Sequence, residues 1–258
     1  MDRRGFVKTA AMAGVAIGTG SFTLPEKTHI LTLSFDDGFK KSFYRIADIY
    51  EEAELHACLN VIASGHLPSF RAVDEWILPE LIGNFDDWNA LCQRGHEVMP
   101  HSWQHLNLTE QPVEEAKGLI VKCLDYFEEN LEGFKTAEAV FNFPFNASTP
   151  ELEAFALSKV LGIRTHGNAV NPVPVREGPF RLGCASYGPD NIDGWVEQQV
   201  NSFLASPGGW LVLNTHGLDG EGWGAMSSAY LRNLLKQLIK TETLEILPAG
   251  EVLKRAAG

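Results

Sequence analysis

The sequence predicts a single α/β domain built on a parallel sheet. Short apolar runs such as 31–35 and 210–214 alternate along the chain with segments that have the apolar spacing of amphipathic helices, such as 40–53 and 109–129. Because parallel strands need a long crossover connection, usually a helix, this alternation favours a parallel sheet. Periodicity leaves two architectures open, a closed (β/α) barrel and an open doubly wound sheet.

The length and charge of the chain narrow the classes of protein and partner. The 258 residues are enough for one large α/β domain with a full core. The net charge of −12 argues against nucleic acid and anionic membrane surfaces as partners, because both need a positively charged footprint. A neutral glycan or a small amide carries no such objection.

Residues 1–24 are predicted to be a twin-arginine signal peptide rather than part of the fold. Arg3 and Arg4 precede a weakly apolar segment, 10–19, which is far shorter than the roughly 20 residues of a membrane span. We therefore expect export by the twin-arginine route to the periplasm, the cell envelope or the medium. The folded domain is expected to comprise residues 25–258, and no clean Ala-x-Ala site fixes the cleavage point.

The first half of the domain is expected to contain three strands. The strand at 31–35 is followed by a helix in which Phe43, Ile46 and Tyr50 share one face, and a second strand completes a β-α-β unit. A segment rich in Gly, Pro and aromatic residues is predicted to be a long excursion. Thr109 is expected to cap the clearest amphipathic helix. In order, the predicted elements are helix 40–53, strand 57–62, excursion 63–87, helix 88–93, strand 96–99 and helix 109–129.

The second half continues the alternation. Thr149 and Pro150 have the sequence of a helix start, and Asp190 or Asn191 is expected to cap a later helix. A proline-rich loop separates these two helices. In order, the predicted elements are strand 139–143, helix 150–161, strand 162–164, a helix ending at 204, strand 210–214, helix 228–240, strand 244–247 and helix 250–256.

Three of the predicted strand ends carry ionisable residues. Asp36 and Asp37 follow the first strand, His101 and His105 follow the third, and His216 follows the strand at 210–214. Chemistry in α/β folds lies at the carboxyl ends of the strands, so we expect these side chains to converge on one site.

Each pair of residues needs a particular local geometry to reach that site. Neighbouring side chains on a strand point to opposite faces, so Asp36 and Asp37 can share a site only if the chain bends, and Gly38 permits a bend. His101 and His105 are four residues apart, which on one helical turn would place them on the same face.

These residues resemble the motifs of the polysaccharide deacetylases, also called carbohydrate esterase family 4. The family's first motif, Thr/Ser-Phe-Asp-Asp-Gly, is met by 34–38, and its second, His-Ser/Thr-x-x-His, by 101–105. Leu213 or Asn214 with His216 is the candidate for the fifth motif, Leu-x-His. The resemblance implies a distorted (β/α) barrel of about seven parallel strands.

The residues and the resemblance agree on metal-assisted hydrolysis. A zinc ion, or cobalt or nickel, held by Asp37, His101 and His105 would activate a water molecule for attack on a carbonyl carbon. Asp36 would act as the base, and His216 would protonate the departing nitrogen or oxygen. The expected substrate is an N- or O-acetylated polysaccharide. A small non-sugar amide, or glycan binding without turnover, remains open as an alternative.

The third motif of the family, Arg-x-Pro-Tyr/Phe, is altered in this chain. Its arginine pairs with the catalytic aspartate, and Asn142 stands at that position here. We therefore expect a raised pKa for Asp36 unless Arg164 or Arg181 reaches it from another strand. An alternative role for Asn142 is hydrogen-bond donation to Asp36.

Several residues beside the motifs or in the glycine-rich loop 217–224 are candidates for contact with substrate. Trp103, Phe145 and Trp223 can stack on sugar rings, although core packing is an alternative for each, and Asn142 is the polar candidate. The four cysteines lack Cys-x-x-Cys spacing, which argues against a thiolate metal site, and their disulfide state stays open.

Overall fold

The computed structural model describes residues 27–73, 75–175 and 178–257. The predicted signal peptide at 1–24 lies outside the described residues and stays a prediction. Among the helices that the structure describes, none is both long and apolar enough to cross a bilayer.

Seven parallel strands are arranged in a ring, and two further strands lie beside it. Parallel pairing joins the seven either directly or through a short bridge. The seven are β1 to β5, β7 and β8, whereas β6 and β9 are accessory. The strands are β1 His29–Phe35, β2 Cys58–Val61, β3 Glu97–Pro100, β4 Val140–Asn142, β5 Gly162–His166, β6 Val170–Asn171, β7 Phe180–Cys184, β8 Gly209–Thr215 and β9 Leu244–Ile246.

The ring consists of two ladders that meet at two seams. One ladder has the order β3-β2-β1-β8, and the other has the order β4-β5-β7. At the first seam, a parallel bridge joins Ala185, directly after β7, to Leu213 of β8. At the second seam, β3 and β4 are both fully described and form no ladder, but the side-chain amide of Asn142 donates to the carbonyl of Pro100 at 3.2 Å. The result is a distorted barrel.

Seven helices surround this ring and connect its strands. They are α1 Lys40–Glu51, α2 Phe85–Gln93, α3 Val113–Asn130, α4 Pro150–Leu157, α5 Asp193–Leu204, α6 Ser228–Leu238 and α7 Ala249–Ala257 in the described part of the chain.

Helix α5 has Ile192 at its N-cap position, not Asp190 or Asn191 as the sequence predicted, although the side-chain oxygen of Asn191 accepts a hydrogen bond from the N–H of Asp193 at 3.1 Å.

Two further helix starts differ from the sequence-based expectation. Helix α2 begins three residues early, because Asn84 and Asp87 form a reciprocal capping box. Helix α3 begins late, with Pro112 at its N-cap position, and Thr109 lies instead in a separate 3-10 turn. Thr109 is therefore not the N-cap of α3, because Pro112 separates the two helical segments.

The proline-rich segment after β5 contains two strands that sequence periodicity did not predict. Strand β7 pairs with β5 along its whole length, and the two-residue strand β6 pairs antiparallel with β8. The apolar residues of β7 do alternate with Arg181 and Gly183, as in a half-buried strand, but the run is only five residues long, so periodicity alone is a weak signal. Tertiary pairing therefore decided these elements.

Two of the three apolar cores that the structure describes lie on either side of the barrel wall, and the third packs the segment after β2 against Phe39. The larger core lies between the strands and the surrounding helices and contains Leu33, Phe35 and Phe43. The smaller of the two cores at the barrel wall contains Ile30 and Trp210 from early strand positions together with residues of α7, so this helix covers the amino-terminal end of the barrel. The carboxyl-terminal end of the interior is polar instead, and there the candidate site lies.

Candidate functional site

The two aspartates reach one site because the backbone turns at Asp37 itself. Asp37 has φ of 79° and Gly38 has φ of 89°, both in the left-handed region. The expected bend at Gly38 is present, and the non-glycine residue before it shares the strained conformation. A Cβ on Gly38 would lie 3.1 Å from the ring of Trp88, so packing as well as φ favours glycine.

The two motif histidines lie in an extended loop, so the expected helical turn is wrong. Residues 101–107 form no helix, and Ser102 and His105 have φ of 64° and 57°. The loop is fixed by the hydroxyl of Ser102, which accepts a hydrogen bond from the backbone N–H of His105 at 3.0 Å. Backbone bonds from Ala63 and Ser64 to this loop extend the pairing of β2 and β3. The histidines therefore converge through turn geometry.

Asp37, His101 and His105 bring three potential ligand atoms together. Those atoms lie within 4.8 Å of one another, and all three residues are buried. The Nε2 atom of His101 is 3.5 Å from Oδ1 of Asp37, and the Nε2 atom of His105 is 3.4 Å from the same oxygen. One carboxylate and two imidazoles form a donor set that suits zinc.

The protonation of the histidines also fits metal binding. Nδ1 of His101 is 3.0 Å from the carbonyl oxygen of Asn142, so this nitrogen carries the proton and Nε2 keeps its lone pair. Burial lowers the pKa of His101, and burial together with His101 holds the pKa of His105 well below its usual range. Neutral imidazole is the form that binds a metal ion. The residues present therefore fit a divalent metal.

Asp36 is held by three hydrogen-bond donors inside the barrel. The guanidinium of Arg164 donates to both carboxylate oxygens, at 3.0 and 2.6 Å. The side-chain amides of Asn60 and Asn214 donate to Oδ1 at 2.8 Å and to Oδ2 at 2.6 Å. These bonds fix the orientation of the carboxylate.

The arginine partner of Asp36 has moved one strand along the barrel. Asn142 on β4 is directly paired with Arg164 on β5, so the two inward-facing side chains are neighbours. Asn142 does not donate to Asp36; its amide donates to Oδ1 of Asn60, which in turn contacts Asp36. Arg181 bonds to Glu153 at 2.8 Å. Of the two arginines considered from sequence, Arg164 is the one that reaches the site.

The electrostatic environment keeps Asp36 ionised and His216 neutral. Burial opposes ionisation of Asp36, but the charge and the hydrogen bonds of Arg164 outweigh it and hold the pKa of Asp36 well below its usual range. The raised pKa considered from sequence is therefore absent, because Arg164 supplies the missing charge. Burial lowers the pKa of His216 to about 4.

The catalytic candidates line a single cleft of about 420 Å³ at the carboxyl ends of the strands. Its volume is typical of ligand pockets. The lining residues are Asp36, Asp37, Trp76, Ile77, His101, His105, Phe145, Asn146, Ser186, Asn214, His216 and Trp223. A larger groove of about 580 Å³ lies beside α7 at the opposite end, but the metal-ligand group is in the smaller cleft.

The four candidates for substrate contact divide into two groups. Phe145 is half exposed and packs against His105 with ring centroids 4.7 Å apart, and Trp223 packs edge-on against His216 at 5.6 Å. Both line the cleft. Trp103 and Asn142 do not, which corrects their assignment. Trp103 is buried beneath Lys122 of α3, and Asn142 lies under the cleft floor in the barrel interior.

Sequence reasoning missed Asn60, and it named Asn214 only as a possible motif residue; both orient Asp36. Each is a buried amide within an otherwise apolar strand, at an inward-facing position of the barrel. A polar residue at such a position is costly unless it has a partner, so it indicates a polar interior network. These inward-facing polar residues could be recognised from the sequence, but the sequence does not show which residue each of them contacts.

Fold and site together define a class of protein: a seven-stranded (β/α) barrel with an Asp-His-His candidate metal centre at the carboxyl ends of its strands. The family model for polysaccharide deacetylase matches residues 23–165, which is more than half of the chain. The chain therefore belongs to the polysaccharide deacetylase family. The first three motif regions lie within the match, whereas His216 lies beyond it. A comparison with curated protein sequences found no match.

Several solved structures have the same fold. A Mycobacterium smegmatis protein that carries the provisional name polysaccharide deacetylase aligns with a TM-score of 0.66 and 13% identity, over 90% of this chain and 91% of that one. The peptidoglycan deacetylase PdaC of Bacillus subtilis aligns with a TM-score of 0.54 and 16% identity, over 88% of this chain and 92% of that one. A family 4 carbohydrate esterase of Streptomyces lividans, in complex with acetate, aligns with a TM-score of 0.55 and 14% identity, over 85% of this chain and 91% of that one. The predicted barrel fold is confirmed.

Proposed function

We propose that this chain is a metal-dependent hydrolase that removes acetyl groups from an N- or O-acetylated polysaccharide. The observation that carries the proposal is the convergence of Asp36, Asp37, His101, His105 and His216 on one cleft. The family supports the reaction, and structural neighbours named as peptidoglycan deacetylases support a glycan substrate.

The metal would be held by Asp37, His101 and His105. A bound divalent ion supplies Lewis acidity, which acidifies water and stabilises negative charge on a carbonyl oxygen. Mixed oxygen and nitrogen donors favour zinc, and cobalt or nickel can bind the same set.

Asp36 is the proposed base. Its Oδ2 atom is 3.5 Å from Nε2 of His101, so this carboxylate oxygen faces the metal-ligand group. Arg164 and the two amides keep the carboxylate ionised and prevent it from rotating, so it is ready to accept a proton from water.

His216 is the proposed acid, and it follows β8, the strand that pairs directly with β1. With a pKa of about 4 its ring is mostly neutral at pH 7, and only the protonated form can give up a proton. Negative charge that develops on the substrate during attack favours the imidazolium form and raises that pKa. His216 would then protonate the departing nitrogen or oxygen as the carbon–nitrogen or carbon–oxygen bond breaks.

The test is a substrate screen with a parallel measurement of bound metal. Zinc-loaded wild type is incubated with N-acetylated and O-acetylated oligosaccharides and with small amides, and released acetate or amine is measured. Asp36→Asn should retain metal and lose turnover, whereas Asp37→Asn should lose metal. The reverse pattern would mean that the two roles are exchanged.

The same screen decides between the alternatives. Turnover of small amides alone would replace the glycan deacetylase with an amidase. Tight glycan binding by zinc-loaded wild type without any product would favour a binding protein.

A further inference from the structure

A third exposed aromatic side chain lies next to the cleft. Among the described residues, the exposed aromatic side chains are Trp76, Phe145 and Tyr187. The first two line the cleft. Tyr187, which is 54% exposed, directly follows the cleft residue Ser186 at the carboxyl end of β7. Exposure of a large aromatic ring at this position has no explanation in core packing.

The backbone around Tyr187 is packed tightly against the cleft wall. A Cβ on Gly188 would lie 2.4 Å from the ring of Trp223, so that indole rests directly on the glycine. The carbonyl oxygen of Tyr187 lies equally close to Gly224, where a Cβ would be 2.2 Å from it. The N–H of Gly224 donates to the carbonyl of Pro189 at 2.8 Å. Trp223 therefore stands between the catalytic cleft and Tyr187.

Helix α5 fixes the same loop from the other side. The carboxylate of Asp193 accepts hydrogen bonds from the N–H and the hydroxyl of Ser227, at 2.9 and 2.5 Å. The side-chain amide of Asn191 also donates to that hydroxyl at 3.0 Å. Because the loops before α5 and α6 are joined in this way, the surface next to the cleft is preorganised.

The ring of Tyr187 stacks on a second aromatic ring. Its plane lies 16° from that of Trp195, in the first turn of α5, with centroids 5.9 Å apart. This is offset stacking, which holds the tyrosine ring in place while leaving much of its surface in solvent. We call Tyr187 and Trp195 the rim platform.

We propose that the rim platform is a subsite for a second sugar ring, adjacent to the ring that is deacetylated in the cleft. The inference rests on the proposed glycan substrate. A sugar ring offers an apolar face of C–H groups and a polar edge of hydroxyls. The tyrosine ring can stack on the apolar face of the sugar, and the neighbouring Ser186 and Asn191 can form hydrogen bonds with its hydroxyls.

Two features favour a sugar over an apolar partner. The platform is one ring wide and continuous with the cleft through Trp223, whereas an apolar partner needs a broad exposed patch. The adjoining Asp190 and Asn191 are exposed and polar. A polymer with one acetylated unit in the cleft would continue across Tyr187, so affinity should increase with chain length.

The experiment measures binding and turnover separately. Equilibrium binding of β-1,4-linked N-acetylglucosamine oligomers, one to six units long, and of acetylated xylo-oligosaccharides is measured by calorimetry on zinc-loaded protein. Acetate release from the same probes and from 4-nitrophenyl acetate is followed in parallel. The variants are Tyr187→Ala and Tyr187→Phe, with Ile239→Ala as a control at an exposed apolar position directly after α6.

In Tyr187→Ala, the dissociation constant for the longer oligomers of one series should rise by about three- to tenfold, as expected for one lost stacking contact. The affinity for single-unit probes and the rate of hydrolysis of 4-nitrophenyl acetate should be unchanged. Tyr187→Phe should restore wild-type affinity because stacking needs the ring and not the hydroxyl, and Ile239→Ala should match wild type.

Equal losses for short and long probes, or no change for any length, would overturn the subsite, as would failure of wild type to bind any oligomer. Length-dependent binding that Tyr187→Ala abolishes, without acetate release by wild type, would support the subsite and refute the proposed hydrolysis.

Discussion

Exchange of Asn142 and Arg164 tests two requirements of Asp36. The first is a guanidinium partner of any origin, and the second is a guanidinium that comes specifically from β5. Arg164 and Asp36 are 1% and 2% exposed and form a two-point ion pair. Removal of one partner from a buried pair typically costs about 3–5 kcal/mol. For Arg164→Asn in EDTA, this corresponds to a fall of about 6–20 °C in the unfolding midpoint of a protein of this size.

The loss of stability in Arg164→Asn should depend on pH. In wild type the pKa of Asp36 is lower in the folded protein than in the unfolded chain, so Asp36 stabilises the fold at every pH above its pKa in the unfolded chain. This stabilisation is lost only as pH falls through the pKa of Asp36 in the folded protein. Without Arg164, burial dominates and raises the pKa of Asp36, so the folded carboxyl must stay protonated or remain as a buried charge. The difference in free energy of unfolding between wild type and Arg164→Asn should therefore be larger at pH 8 than at pH 5.

The double variant Asn142→Arg/Arg164→Asn returns the arginine to the family position. Since the two residues are paired across β4 and β5, the new guanidinium is one strand away from the old one. Asn142→Arg alone adds a second buried cation and removes the bond to Asn60. The double variant should therefore lose at least about 1 kcal/mol less than the sum of the two single variants.

Differential scanning calorimetry and acetate release on the best substrate give the two readouts. Arg181→Asn is the matched control, because its ion pair with Glu153 is partly exposed and should contribute less than about 1 kcal/mol. An Arg164→Asn protein with unchanged stability would refute the reasoning. Strictly additive losses in the double variant would show that the strand, and not the charge alone, is required.

Three further predictions concern the metal, the turn and export. His101→Ala/His105→Ala should lose bound zinc in elemental analysis, and undiminished stoichiometric metal would exclude these ligands. Gly38→Ala should be destabilised by about 1–3 kcal/mol in chemical denaturation, because φ is 89° and a Cβ there would lie 3.1 Å from a buried indole ring; wild-type stability would show that the turn can relax. Changing both Arg3 and Arg4 to lysine should retain the protein in the cytoplasm in cell fractionation, and normal export would remove the twin-arginine interpretation.

The convergence of the candidate site could be predicted from sequence because of a general property of parallel sheets. Carboxyl ends of parallel strands meet at one end of a barrel, so polar residues that follow buried strands must approach one another. His216 needed only correct strand assignment, and Asp36 and Asp37 needed in addition the bend that Gly38 permits. His101 and His105 also reach the site, but through a hydrogen-bonded loop with positive φ values that a helical spacing rule does not describe.

The aromatic candidates were predicted less well than the ionisable residues. Phe145, chosen for its adjacency to a motif, and Trp223, chosen for its place in the glycine-rich loop 217–224, both line the cleft, whereas Trp103, chosen by adjacency, does not. Successive residues of a loop can face opposite sides, so sequence distance from a motif does not determine which side chain is exposed. The exposed ring of Tyr187 lies in a connection for which sequence reasoning named no aromatic candidate.

By itself, the sequence predicted seven of the nine strands in their order along the chain, the residues of the candidate metal site and the absence of the family arginine at Asn142. Only the tertiary structure decided that Arg164 supplies the charge for Asp36 and that Asn60 and Asn214 complete its hydrogen bonds. The physical reason is that local sequence fixes which residues face the barrel interior, through the two-residue period of a strand. Which inward-facing side chains meet across the interior depends on the stagger of strands that are distant in sequence.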